Sequence, residues 1–274
     1  MAQNVQTQQK SAGTGQFGTV FASILVPVAI ALGIILYKYV LGNPSNFEGG
    51  NPAGHPIPGN IQGMMYKGGF LVPLLMGCFI IALSVVFERF FTIFFAKGRG
   101  SVPLFVRKIT GLLNSNNVSG ALAECDKQRG SVANVIREGL HKYQEMQSNT
   151  SLDKEQKVLA IQKEVEEATS LELPMLEKNL VILSTLASVA TLLGLLGTVF
   201  GMIRSFSAIA TAGAPDAVAL STGISEALIN TALGISTSAI SIIAYNYFTT
   251  RIDKLTYGID EAGFSIAQNF ATKN

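Results

Sequence analysis

Long apolar runs separated by polar stretches set the pattern of the chain. Four runs, about 19–41, 69–95, 180–206 and 217–248, are long enough to cross a bilayer. Spanning about 30 Å of hydrocarbon takes roughly 20 residues at 1.5 Å each. Four crossings place both ends of the chain on one side. The 42–68 connection, with Asn43-Pro44, Pro52, Pro56, Pro58 and many glycines, predicts an irregular loop. The polar 96–179 block keeps helical apolar spacing, at Val132, Val135, Ile136 and Leu140 and again at Val158, Ile161, Val165 and Leu171, and predicts several amphipathic helices. From Asp153 onward the one strong breaker before the third run is Pro174. One long helix is therefore expected to leave the polar block and enter the bilayer with a kink near that proline. Gly213-Ala214-Pro215-Asp216 makes a short turn, so the last two crossings, 180–212 and 217–250, form an antiparallel hairpin. The expected fold is all-α: an integral membrane protein of about four transmembrane helices, with long helices extending into a helical domain. A polar tail, 1–18, precedes it and another, 251–274, ends it.

Charge orients this arrangement. Lys97, Arg99, Arg107 and Lys108 crowd the end of the second run without an acid, whereas the 42–68 loop holds a single base, Lys67. By the positive-inside rule the termini and the 96–179 block are cytoplasmic and the 42–68 loop and the 213–216 turn face outward. Composition agrees, with 48% hydrophobic and 14% charged residues. Twenty basic against 18 acidic residues are too evenly balanced for a nucleic-acid surface. Cys78 lies in an apolar run and Cys125 in a polar one, which predicts two unpaired thiols; His55 stands alone in the loop and reads as solvated rather than as a ligand. The first apolar run is too long for the core of a signal peptide, so it is expected to stay as an additional crossing.

Glu226 is the single carboxylate within 217–250. An ionised acid in hydrocarbon costs about 2.5–3.5 kcal/mol on insertion scales, so such a group faces protein or water, either on a pathway or as a packing contact. At about 100° per residue, Thr222, Asn230 and Thr237 fall within about 40° of Glu226 and make a polar stripe. Thr231 lies about 140° away, which requires a broad cavity or a helix set between two interfaces. On the preceding helix Ser184, Thr191, Thr198 and Ser205 recur every seven residues, beside the small pair Gly197 and Gly201. Hydroxyls so placed serve packing or a pathway.

The run Gly194-Leu195-Leu196-Gly197-Thr198-Val199-Phe200-Gly201, followed after the turn by Gly223-Ile224-Ser225-Glu226-Ala227-Leu228-Ile229-Asn230-Thr231-Ala232-Leu233-Gly234, resembles the two signatures of the ExbB/TolQ/MotA family of proton-channel proteins, and most closely its ExbB and TolQ branch. The resemblance covers about residues 69–250. It implies a bacterial inner-membrane motor in which a homo-oligomeric ring, a pentamer, encloses a dimer of an ExbD-like or TolR-like partner. That partner has one membrane helix carrying an aspartate, and proton flow drives a TonB-like client. Carried over by motif, Thr198, Glu226 and Thr231 match polar positions of the proton path. The polar stripes read from helix spacing, Thr191, Ser205, Thr222, Asn230 and Thr237, are expected to support them, and Gly194, Gly197, Gly201 and Gly234 to serve helix packing. No bond chemistry, cofactor or metal is implied, and no nucleotide-binding loop occurs, so the expectation is a non-enzyme. A TolQ-like role in envelope maintenance, a motility stator and a non-conducting scaffold are the alternatives. The sequence departs from the family pattern in the additional first crossing, in Arg204, expected to snorkel to headgroups or pair with Asp216, and in Asn230, where a smaller residue is usual.

Overall fold

A computed structural model describes residues 23–212 and 217–273. The predicted tail 1–18 and the hairpin turn 213–216 lie outside the described residues. The described chain is helical: four helices are long and apolar enough to span a membrane, and the one strand-like contact is an isolated bridge between Phe47 and Pro56. It divides into two compact units, one built from the chain up to Phe87 together with Asn179–Tyr245, the other from Glu88–Lys178 and Asn246–Asn274.

The first unit contains α1 (Ser23–Leu41), α2 (Ile61–Tyr66), most of α3 (Leu71–Ala96), α8 (Leu180–Ala212) and the first part of α9 (Ala217–Lys273). Helices α1 and α3 approach closely because Gly33 faces the Pro73 carbonyl and Gly77 faces the Ile30 backbone, around a fully buried Ala29. The loop expected to be irregular is folded around one side chain. Buried Asn46 donates to the carbonyls of Val40 (2.8 Å) and Leu41 (3.0 Å) and accepts from Asn60 (3.1 Å). Phe47 packs edge-on against Tyr66, which stacks on Tyr37 with centroids 4.7 Å apart. Lys67 donates to the carbonyls of Pro52 (3.0 Å) and Ala53 (2.9 Å), and partial burial lowers its pKa. His55 is exposed.

The second unit packs α4 (Val102–Asn114), α5 (Val118–Gln128), α6 (Ser131–Ser148) and α7 (Lys154–Glu177) with the last turns of α3 and α9. Val132, Val135, Ile136, Leu140 and Ile161 are fully buried as their spacing requires, whereas Leu171 is 71% exposed. Helix α7 starts with a capping box between Asp153 and Gln156. The expected single helix through Pro174 is two helices. Pro174 stays inside α7, and the break falls at Lys178 and Asn179, where Lys178 turns extended and Asn179 adopts φ 66°. Asparagine tolerates that left-handed conformation. The carbonyls near the end of α7 find a donor in Arg89, bonded to Met175 (3.3 Å) and Leu176 (3.1 Å). Residues 251–274, expected as a tail, continue α9 to Lys273. Phe248, Ile252, Leu255, Ile259, Ala262, Ile266 and Phe270 are buried at spacings of three and four. Tyr143 packs its ring edge-on to Phe270 and donates to Asn269 at 3.1 Å, and Lys273 donates to the carbonyls of Leu113 (2.7 Å) and Asn114 (2.6 Å).

Candidate functional site

Small residues bring α8 and α9 into backbone contact. A methyl on Gly194 would lie 3.0 Å from the Asn230 carbonyl and 3.2 Å from the Gly234 Cα, and one on Gly201 would lie 2.6 Å from the Gly223 carbonyl. Gly197 faces the Asn230 side chain in the same way. With backbones this close, short hydroxyls reach across the seam. Ser205 donates to the carbonyls of Gly201 (3.1 Å) and Leu220 (3.2 Å), Thr231 to those of Ala227 (3.1 Å) and Gly194 (3.3 Å), and Ser238 to that of Ala187. Thr198 and Thr231 share a hydrogen bond of 3.2 Å, and Thr198 also donates to the Leu195 carbonyl at 2.8 Å.

Glu226 is buried, its side chain 7% exposed, and both carboxylate oxygens accept from Nη1 of Arg204 at 2.9 Å. Its carboxylate also lies against Gly69, which has φ 79° and no room for a Cβ. One turn along, Asn230 donates from Nδ2 to the carbonyls of Gly68 (2.8 Å) and Glu226 (3.0 Å). Its own Oδ1 is buried and has no hydrogen-bond partner among the described residues. The Gly68-Gly69 turn at the head of α3 is thus held by two side chains of α9.

Glu226 and Thr231 consequently address different flanks of α9, as their angular separation demands. Of the two arrangements open at the sequence level, the helix set between two interfaces is the one present. Thr237 and Ser241 are fully buried and bond to carbonyls of their own helix. Thr222 is exposed, and Thr191 makes a long 3.5 Å bond to the Ala187 carbonyl. Thr198 borders a shallow apolar groove of about 630 Å³ along α8, with Val199, Met202, Ile203 and Phe206 on its walls. Arg204 takes Glu226 as its partner, a pairing absent from the sequence-based expectation; Asp216 lies outside the described residues. Two further polar elements escaped that expectation. One is the Gly68-Gly69 turn. The other is the contiguous Glu88 and Arg89 in α3, which pair with each other and are visible in the sequence as charges inside an apolar run.

Comparison with known proteins identifies the family. A profile of the MotA/TolQ/ExbB proton channel family matches residues 128–261. The Tol-Pal system protein TolQ of Pseudomonas aeruginosa is 32% identical over 165 residues, covering 57% of this chain and 71% of the relative. The chain belongs to the MotA/TolQ/ExbB proton channel family. A putative biopolymer transport protein, ExbB-like 3, of Synechocystis is 29% identical over 185 residues, 66% of this chain and 81% of the relative. The biopolymer transport protein ExbB of Pseudomonas putida is 27% identical over 191 residues, 69% and 56% of the two chains. The profile takes in both signature runs, the Thr198–Thr231 bond and the Arg204–Glu226 pair. Membership and the four spanning helices make the chain a multi-pass membrane protein of the ExbB/TolQ type.

Proposed function

We propose that this chain is the ring-forming subunit of an inner-membrane, proton-driven motor, with an ExbB-like role in energising TonB-dependent transport across the outer membrane. The observation that carries the reading is the Thr198–Thr231 bond, which joins the two family signatures at the half-buried edge of an apolar groove on α8. A hydroxyl both donates and accepts, so the pair can pass a proton to a group opposite it. The chemistry that fits there is a carboxyl on an apolar helix, the membrane aspartate of an ExbD-like or TolR-like single-span partner dimer enclosed by a pentamer of this chain. In this reading both termini are cytoplasmic. Glu226 belongs to the polar pathway through its charge, and each proton crossing 100 mV releases about 2.3 kcal/mol.

The test is proton-gradient-dependent client activity in cells carrying Thr198→Val, Thr231→Val or Glu226→Gln, with assembly checked by co-purification of the partner. Loss of activity in an assembled complex supports the motor. Normal activity in all three would make these residues packing elements and overturn the pathway drawn through them. A TolQ-like role is the second reading, favoured by the similarity to the P. aeruginosa protein. Deleting the gene separates the two, since loss of TonB-dependent uptake marks the first and detergent sensitivity of the envelope marks the second.

A further inference from the structure

We propose that the second unit carries a binding site for an anionic phospholipid. A cavity of about 920 Å³ opens between the last turns of α3, the start of α4 and the 247–257 stretch of α9. Its lining has two chemically distinct parts. Phe90, Phe94 and Tyr247 supply aromatic wall, and Lys97, Arg251 and Lys254 bring three cations against one acid, Asp253. Among the described residues none of those three cations has a carboxylate within ion-pair distance. Arg251 lies over the Tyr247 ring, 5.1 Å from its centroid, which holds the guanidinium in place and leaves its hydrogen-bond donors available. Three cations gathered on one wall of a cavity, with no described carboxylate in ion-pair range, mark a place for an external anion.

The position along the chain says what carries that anion. Lys97 directly follows the apolar α3, and Arg251 comes just after the apolar run that ends near residue 248. The cavity therefore straddles the level at which both helices pass from apolar to charged sequence. A ligand matching it needs a negative head and a hydrocarbon body, which a membrane phospholipid with an anionic head group provides. Its phosphate would sit among Lys97, Arg251 and Lys254, and its upper chain segments would lie along Phe90 and Phe94, with the rest of the chains in the bilayer. A soluble anion has no use for the aromatic part, and a zwitterionic lipid leaves the excess positive charge unanswered. This inference stands on the cavity and does not depend on how the hairpin handles protons.

Native mass spectrometry of the full chain, released from nanodiscs of phosphatidylcholine with a minority of phosphatidylglycerol, tests it. Retained phosphatidylglycerol is expected in clear excess over its share of the bilayer. Lys97→Gln, Arg251→Gln and Lys254→Gln should each weaken retention about fivefold, since a cation near an anionic surface is worth about 1 kcal/mol, and the triple variant should show no preference. A control triple on α7, Lys154→Gln with Lys157→Gln and Lys163→Gln, removes the same charge and should retain the lipid as wild type does. Should the cavity triple unfold, the single variants decide. Equal retention of the two lipids by the wild type, or undiminished phosphatidylglycerol on the cavity variants, overturns the proposal. Full displacement of the lipid by inorganic phosphate would assign the cations to a soluble anion and overturn it as well.

Discussion

Arg204 and Glu226, separated by 22 positions in the chain, meet at 2.9 Å, one guanidinium nitrogen bridging both oxygens of a buried carboxylate. The arginine is 55% exposed, so the pair is screened on one side only. Removing Arg204 leaves the acid buried without a counter-charge, and Arg204→Gln should destabilise by about 1–3 kcal/mol. The double variant Arg204→Gln with Glu226→Gln should be more stable than Arg204→Gln alone, because the stranded charge is gone. Thermal unfolding in detergent across the four-member cycle measures the coupling; simple additivity of the two changes would show that the contact contributes nothing.

Glycines at two positions predict opposite signs. Gly69→Ala would force a left-handed alanine whose Cβ runs into the Glu226 carboxylate, and should destabilise by more than 1 kcal/mol. Gly111, in the last turn of α4, has open space around its missing Cβ, and Gly111→Ala should stabilise by up to about 1 kcal/mol. Denaturant titration of the two variants checks both signs in one experiment.

Threonine 198 offers a separation of stability from transport. Hydrogen bonds between membrane helices average about 0.6 kcal/mol, so Thr198→Val should alter unfolding little while reducing proton flux in the reconstituted complex. Thr198→Ser keeps the hydroxyl and should restore most of that flux. A valine variant that conducts as the wild type does would leave the Thr198–Thr231 bond a packing contact.

Cys125 carries the clearest pH signature. Burial pushes its thiol pKa from 9.0 to about 12. The folded-state pKa lies above the unfolded one, so the stability it contributes is fully present below about pH 9 and is lost as pH climbs toward 12. Iodoacetamide at pH 8 should label Cys125 only after unfolding. Rapid labelling of the native protein would contradict its burial.

The four crossings were legible in the sequence because lipid demands a single unmistakable signal, some twenty apolar residues in a row. The helix end at Asn179 was not, since Pro174, five residues earlier, is the louder local signal, and what terminates α7 is a conformation of Asn179 together with a donor from Arg89, 86 positions from the Met175 carbonyl it meets. The 251–273 helix was obscured by Arg251, Asp253, Lys254, Asp260 and Glu261, which lower its mean hydropathy while the three-and-four spacing of its apolar positions persists. In the site, Glu226, Thr198 and Thr231 could be named from residue type and motif. The partners they choose depend on helix rotation and on a turn at Gly68-Gly69, and neither is encoded within the neighbouring sequence.

Asn46 gives the 42–68 loop a last consequence. An endoprotease must draw several residues of extended chain into its cleft, and composition alone, four prolines and a run of glycines, would advertise this segment as such a substrate. Yet the carbonyls of Val40, Leu41, Asn46, Pro52 and Ala53 are all engaged by side-chain or backbone donors within the loop. To a degradative enzyme the segment offers backbone already tied down at these five carbonyls.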